Sequence, residues 1–137
     1  MSVNPWTSPP ELKSAIDHAM SLLSSGQATL ARRQAEELLR RFPREINCMF
    51  IVAASIRAHG DNREAAIRLR ALIKRAPDFA LAHQELGFAC AESGNLYDAI
   101  AALQRAVAIE PKLPASWKLM GELFQIDGDE NSAAGAG

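Results

Sequence analysis

Glycines recur through this sequence at one constant interval, at Gly26, Gly60, Gly94 and Gly128. Five residues after each glycine comes an alanine, and seventeen residues after each of the first three comes a proline. These positions are Ala31, Ala65, Ala99 and Ala133, and then Pro43, Pro77 and Pro111. Three residue types that keep one interval indicate a repeated supersecondary unit, and this constrains the fold more than any other feature of the chain.

The residue types at these positions predict what the unit looks like. Glycine enters the left-handed backbone region without a Cβ penalty, so it ends one helix in a tight turn. Alanine lets two helices approach closely. Proline ends the second helix, because a helix cannot continue into a proline without strain. Between these markers, apolar residues such as Ile100, Leu103 and Val107 follow helical spacing. We predict helices over 11–24, 28–41, 46–58, 62–75, 80–92, 96–109 and 114–126, with a short partner helix beginning in DENSAAGAG.

The predicted fold is therefore all-α, a helix-turn-helix repeat solenoid with three full 34-residue repeats and a truncated fourth. We expect a flexible, proline-rich leader over residues 1–10 and a repeat domain over residues 11–137. The repeats span about 12–45, 46–79 and 80–113, and the incomplete fourth covers 114–137.

Composition and charge narrow the class of function. Of the 137 residues, 48% are hydrophobic but only 6% are aromatic, which suits close helix packing. A formal net charge of −1 provides no basic excess for binding nucleic acid. No run approaches the roughly eighteen apolar residues of a membrane span, and the first residues do not resemble a secretion signal. We expect a cytoplasmic protein that binds neither nucleic acid nor membranes.

Residues with catalytic or metal-binding chemistry show no pattern that is typical of an active site. The sequence has neither a GxxxxGKS/T nor a GxGxxG phosphate loop. His18, His59 and His83 lack an orienting carboxylate at readable spacing, and core packing is favoured for His83. Cys48 and Cys90 form no CxxC pair; we expect Cys90 to be buried and Cys48 to be partly exposed. We predict no catalytic site, no cofactor and no metal within residues 1–137.

The third and fourth units carry the residues of a known repeat pattern. In order they are His83, Leu86, Gly87, Cys90, Ala99, Leu103 and Pro111, and then Trp117, Met120, Gly121 and Phe124. This order resembles the tetratricopeptide repeat, whose pattern is Trp-x₂-Leu-Gly-x₂-Tyr, then Ala-x₃-Phe, then Pro. The resemblance covers residues 11 to 137 and implies protein–protein interaction, without naming a partner.

A narrower resemblance concerns the end of the chain. RAVAIEPKLPASWKLMGELFQIDGDENSAAGAG looks like the repeat region that precedes the catalytic domain of bacterial tetratricopeptide-repeat-containing sulfotransferases. It implies an N-terminal interaction or oligomerisation arm of a larger enzyme that uses a sulfonucleotide donor. The similarity concerns the kinds of residues and the order in which they occur, and it does not include a catalytic motif. The alternative is a stand-alone adaptor or chaperone that holds an apolar peptide or helix.

In tetratricopeptide repeats the first helix of each pair lines a concave groove. Carried over position by position, the resemblance implies groove residues Ile16, Met20, Leu23, Phe50, Arg57, Leu81, Gln84, Phe88 and Lys118. The apolar members of this set suit an amphipathic helix, an apolar peptide or the chain's own leader folding back through Trp6. Each side chain can instead pack against the neighbouring repeat, and that alternative stays open.

Charge is distributed unevenly along the chain. Residues 32–75 hold eleven basic and five acidic side chains, whereas residues 76–137 hold three basic and nine acidic ones. For the basic cluster a solvated face is favoured over nucleic-acid binding, because acidic residues interrupt it and aromatic residues do not. A head-to-tail electrostatic contact between copies of the chain is the alternative, and it would be sensitive to salt.

The last predicted helix carries apolar side chains that need a cover. Repeats bury their apolar faces only against neighbours, and ENSAAGAG is too short and too rich in glycine to form a covering helix. We therefore expect Trp117, Met120, Leu123 and Phe124 to form an exposed contact at this end. Either the sequence is an excised N-terminal region of a longer protein, or a second copy of the chain covers this end in a homodimer.

Overall fold

The computed structural model describes the backbone of residues 9–136 and the side chains of residues 11–128. Within those residues it consists of seven α-helices and no strands, so the predicted all-α repeat fold is confirmed. The helices are α1 (Pro9–Ser24), α2 (Ala28–Arg41), α3 (Ile46–Ala58), α4 (Asn62–Arg75), α5 (Ala80–Glu92), α6 (Leu96–Ile109) and α7 (Pro114–Ala136). The bounds of α2 to α6 are those that the repeat predicts.

The repeated glycines form the turns within the first three helix pairs. Gly94 has φ +82°, and the N–H of the following Asn95 donates to the carbonyl oxygen of Cys90 at 2.8 Å. Gly26 and Gly60 share the left-handed backbone and the same six-residue hydrogen bond. This pattern closes a helix with a left-handed residue and satisfies a carbonyl that the helix end leaves without a partner.

The chain divides into two compact units, Met1–Arg68 and Leu69–Gly137. In the first unit, α1, α2 and α3 pack against one another. Helix α3 is apolar on all sides, and its residues from Phe50 to Ile56 are all buried, as expected for such a helix. Ser55 is the polar member of that run, and its hydroxyl donates to the carbonyl oxygen of Ile51 at 2.7 Å. Ala31, one of the repeated alanines, is fully buried where α2 meets its neighbours.

The second unit is built around the pair of α5 and α6, with α7 packed on α6. Its core contains Cys90, Ala99, Ile100, Leu103, Met120 and Leu123. A hydrogen bond also joins α7 to α5, because the buried Ser116 hydroxyl donates to Oε1 of Gln84 at 2.6 Å. Packing against α6 and the hydrogen bond to α5 therefore both hold the first part of α7 in place.

The end of α7 corrects one expectation. The helix was predicted to end at residue 126 and to be followed by a turn at Gly128, but it continues without a break to Ala136. Gly128 is helical and does not share the positive φ of the three earlier glycines. A turn is favoured where a second helix can then bury apolar surface on the first. The residues after Gly128 bring alanine and glycine but no large apolar side chain, so continuing the backbone hydrogen bonds is favoured.

The start of α1 differs from the prediction by two residues, because the helix begins at Pro9 and not at residue 11. Proline is well suited to a first helical turn, where its missing N–H leaves no hydrogen bond unmade. The rest of the predicted flexible leader, with the predicted contact through Trp6, lies outside the described residues. Among the residues that the structure describes, no helix has the length and apolar character needed to cross a membrane.

Candidate protein-interaction site

Large apolar side chains are exposed mainly on the last two helices. Trp117, Phe124 and Ile126 of α7 are 54%, 50% and 48% exposed, and Tyr97 of α6 is 73% exposed. The other large apolar side chains that are exposed in the described part of the chain are Leu30 and Ile67, on α2 and α4. Contiguous apolar surface of this kind typically marks an interaction site, whereas single exposed residues do not.

A groove between α6 and α7 contains two of these side chains. Its volume is about 540 Å³, and we call it the α6–α7 groove. It is lined by Gln104, Val107 and Ala108 of α6 and by Trp117, Met120, Gly121 and Phe124 of α7. Gln104 is the only polar side chain among these lining residues, so the groove presents apolar surface with few groups for hydrogen bonding.

Trp117 is held in place at the edge of this groove. Its indole N–H donates to the carbonyl oxygen of Pro111 at 2.8 Å. The polar atom of the side chain is therefore already satisfied, while half of the side chain remains exposed. A partner that covers the ring gains apolar contact without having to supply a hydrogen bond for the indole.

A second pocket lies on the opposite side of α7. It has a volume of about 610 Å³ and is lined by residues that include Leu96, Tyr97, Leu123 and Ile126. The hydroxyl of Tyr97, one of these lining residues, donates to Oδ1 of Asp127 at 3.3 Å. Apolar side chains thus remain accessible on both sides of α7.

Comparison of the third repeat with the fourth shows that the α6–α7 groove lacks a packed second helix. In the third repeat, a Cβ atom added to Gly87 would lie 2.6 Å from Cδ2 and Cγ of Leu103, because α6 packs directly on that glycine. Gly121 occupies the same position one repeat later, yet a Cβ added there would have no neighbour within 4 Å. The groove is therefore the place where, one repeat earlier, a second helix is packed.

The four residues of the predicted contact at the end of the chain differ in exposure in the structure. Trp117 and Phe124 are exposed as expected, but Met120 and Leu123 are buried, at 4% and 6% exposed. The expectation of exposure was wrong for these two residues, because they point into the core beneath α7 together with Leu103. Helical spacing alone did not distinguish the covered face of α7 from the open one.

The predicted groove residues on the first helices differ in exposure. In the first unit, Ile16, Met20, Leu23 and Arg57 are partly buried, whereas Phe50 is 4% exposed. Phe50 is therefore not an exposed anchor, and the packing alternative holds for it. The signal was available in the sequence, because Phe50 lies in the uninterrupted apolar run MFIVAA.

In the second unit, Leu81 and Phe88 are partly buried, and Phe88 packs against the core. Gln84 is occupied by its hydrogen bond with Ser116, and Lys118 is exposed. Ligand binding by any of the predicted groove residues stays a prediction.

Two of the three histidines, His59 and His83, have structural hydrogen-bond partners. His83 is 8% exposed, and its Nε2 lies 2.8 Å from the carbonyl oxygen of Pro77, so Nε2 carries the proton. His59 is exposed; its Nδ1 lies 2.8 Å from the carbonyl oxygen of Ser55, and its Nε2 lies 3.1 Å from the Thr29 hydroxyl. These contacts join the ends and turns of helices and assemble no nucleophile with a base.

The cysteines are poor nucleophiles. Cys48 is fully buried, which corrects the expectation of partial exposure, and burial, with a smaller effect of Glu45, raises its pKa to about 12. Burial also raises the pKa of Cys90, although Arg70 opposes the shift. Both thiols are therefore protonated near neutral pH. Among the side chains of residues 11–128, no three His, Cys, Asp or Glu residues are grouped so that they could hold a metal ion.

Comparison with known proteins supports the repeat. The family model described as Tetratricopeptide repeat matches residues 57–114. No curated protein matches the sequence. The matched residues extend from the end of α3 to the first residue of α7, and they include the α5–α6 pair that defines the third repeat.

Solved structures with a similar fold come from proteins of different kinds. MamA 41-end from Desulfovibrio magneticus RS-1 is 22% identical, with a TM-score of 0.69 over 89% of this chain and 69% of that one. The Yersinia enterocolitica type III secretion translocator chaperone SycD is 15% identical, with a TM-score of 0.66 over 87% of this chain and 82% of that one. A mutant of the Thermobaculum terrenum O-GlcNAc transferase is 20% identical, with a TM-score of 0.77 over 90% of this chain but 23% of that one. At these identities the similarity shows the helical repeat fold alone.

Proposed function

We propose that this chain, whose residues 57–114 match the Tetratricopeptide repeat model, is a protein-binding module whose partner docks in the α6–α7 groove. Repeats of this class mediate protein–protein interaction. The observation that carries the proposal is the pair of half-exposed aromatic side chains, Trp117 and Phe124, on either side of the bare Gly121.

The energetic argument rests on apolar burial. An aromatic side chain buries about 150–250 Å² when it is fully covered, so covering the exposed half of each ring removes roughly 100 Å² from water. At about 25 cal/mol per Å², the two rings together contribute roughly 5 kcal/mol toward binding, before the cost of association is subtracted. Buried aromatic anchors of this type dominate the binding energy of many interfaces.

The direct test compares partners of tagged full-length variants expressed in the source cells. We expect that a partner cross-linked to the natural chain is lost from Trp117→Ser/Phe124→Ser. It should be retained by Leu30→Ser/Ile67→Ser, which removes a similar amount of exposed apolar surface elsewhere. Circular dichroism must show both variants folded. A folded groove variant that keeps the same partners as the natural chain would refute the proposal.

A second candidate surface is the groove that the repeat resemblance predicts on the first helices. Its partly buried apolar residues in the first unit, Ile16, Met20 and Leu23, suit an apolar peptide held by an adaptor or chaperone. SycD, a protein of similar fold, is a chaperone. If this surface binds the partner, Met20→Glu will abolish cross-linking, whereas the α6–α7 groove variant will not.

The larger setting of the module is also open to test. We propose that it is the arm of a larger sulfotransferase-like protein, which is supported by the resemblance at the end of the sequence. The similar fold within an O-GlcNAc transferase, where this chain covers 23% of the whole, shows that an enzyme can carry such repeats. On a blot we expect a natural polypeptide whose mass is several times that of these 137 residues, and a mass near that of the 137 residues alone would exclude the larger enzyme. Fractionation of the same cells tests the predicted cytoplasmic location.

A further inference from the structure

We propose that the partner's docking element is an amphipathic α-helix, which inserts an aliphatic side chain above Gly121 and completes the fourth helix pair. This inference rests on the proposed function and specifies the partner that the α6–α7 groove accepts.

The third repeat shows the filled form of the groove. Leu103 of α6 lies on the backbone of Gly87, and the carbonyl oxygen of Ala99 lies 3.4 Å from the position that a Gly87 Cβ would take. Both Ala99 and Leu103 are fully buried. A small residue followed four positions later by leucine is thus the stripe that fits a glycine at this position of the first helix. Such a stripe lies on one face of a helix.

The fourth repeat has the same glycine and lacks the stripe. The residues one repeat after Ala99 and Leu103 are Ala133 and Gly137, so the position equivalent to the leucine has no side chain. Helix α7 also continues to Ala136 and does not turn back at Gly128. The residues of this sequence at the matching register therefore cannot fill the notch above Gly121, and the filling side chain has to come from another helix.

The charge of the sequence in and around α7 indicates the polar side of the partner helix. Residues 110–130 carry five acidic and two basic side chains, and residues 76–137 as a whole carry nine acidic and three basic ones. The groove lining itself is almost entirely apolar. The fitting partner therefore presents an Ala-x-x-x-Leu stripe to the groove and basic residues at its flanks, which complement the acidic excess of this part of the sequence.

The test uses a peptide of residues 96–109, because this sequence fills the equivalent place in the third repeat. Lysines replace its exposed Ala101 and Ala108. Binding to the full chain is followed by isothermal titration calorimetry, and independently by Trp117 fluorescence in a Trp6→Phe background. We expect saturable binding that weakens at least tenfold when the peptide carries Leu103→Ala. Binding should also be weaker at high salt than at low salt.

The matched change in the chain is Gly121→Leu, which fills the notch with a good helix former at an exposed site. We expect it to weaken peptide binding at least tenfold while the thermal unfolding temperature stays at or above that of the natural chain. The control Ile67→Ser should bind as the natural chain does. Absence of peptide binding, or equal binding by Gly121→Leu, overturns the inference.

Two further outcomes separate this inference from the proposed function. If sedimentation shows that the chain forms a dimer and Gly121→Leu disrupts it, the occupant is a second copy, so the foreign-helix inference fails and the proposed function stands. If Trp117→Ser/Phe124→Ser loses its cellular partner but the peptide does not bind, the groove is a binding site for something other than this helix. If neither depends on the groove, both proposals fail.

Discussion

Leu103 lies so close to Gly87 that a Cβ atom on the glycine would be 2.6 Å from its Cδ2 and Cγ atoms. Leu103 is fully buried, so its side chain cannot turn out into solvent to make room. The close approach of α5 and α6 therefore depends on the absence of a side chain at residue 87. Gly121 occupies the same repeat position without any such neighbour, and the two glycines form a matched pair for experiment.

Gly87→Ala should destabilise the protein by about 1–3 kcal/mol, because it overpacks a filled part of the core. Gly121→Ala should be neutral or stabilise it by up to about 1 kcal/mol, because alanine is the better helix former and meets nothing there. Urea unfolding followed by circular dichroism measures both changes. Equal effects of the two substitutions would mean that α6 does not pack on Gly87 as described.

Gly94 and Gly128 form a second pair for experiment, because one lies in a turn and the other lies inside a helix. Gly94→Ala should cost about 1–2 kcal/mol of unfolding free energy, because a φ of +82° is strained for any residue with a Cβ. Gly128→Ala should instead stabilise the protein by about 0.5–1 kcal/mol, since residue 128 lies inside α7. If Gly128→Ala were as costly as Gly94→Ala in thermal unfolding, α7 would have to turn at residue 128.

The hydrogen bond between Ser116 and Gln84 should contribute measurably to the attachment of α7. Ser116 is fully buried and donates at 2.6 Å, so Ser116→Ala leaves the Gln84 oxygen without this donor and should cost about 1 kcal/mol. A double-mutant cycle with Gln84→Ala should give a coupling energy of about 1 kcal/mol. Strictly additive losses in urea unfolding would show that the bond contributes nothing.

The thiols of Cys48 and Cys90 should not react with an alkylating reagent while the protein is folded. With its pKa raised to about 12, only about one Cys48 side chain in ten thousand is a thiolate at pH 8. Iodoacetamide at pH 8 should therefore modify neither Cys48 nor Cys90 until urea unfolds the chain, as counted by intact mass. Rapid labelling of either residue without denaturant would contradict the burial described here.

The same pKa shift predicts how stability changes in alkali. Unfolded Cys48 ionises from about pH 9, whereas the folded residue keeps its proton up to about pH 12. The contribution of this thiol is therefore complete below pH 9, and it declines by about 1.4 kcal/mol per pH unit above it. Cys48→Ala should show a smaller loss of unfolding free energy between pH 9 and pH 10 than the natural chain. Parallel pH profiles would argue against the shift.

The sequence predicted the exposed residues of the candidate site less completely than it predicted the helices. Trp117 and Phe124 were recognisable as exposed from the missing cover of the fourth repeat, but Met120 and Leu123 were expected beside them and are buried. All four lie within eight residues of one helix, and their apolar character is similar. Which of them is covered depends on the position of α6, and sequence spacing does not contain that information.

The sequence by itself determined the helices and their turns, because those features depend on local interactions. A turn with positive φ requires a residue without a Cβ, and the constant spacing of such residues set the bounds of α2 to α6. Only the tertiary structure decided which face of each helix is covered, that Met120 and Leu123 are core beside the exposed Trp117, and that Gly128 remains helical. The physical reason is that burial is a property of the helix packed opposite. Where no helix packs opposite, as at Gly121, the same repeat position changes from core to exposed surface.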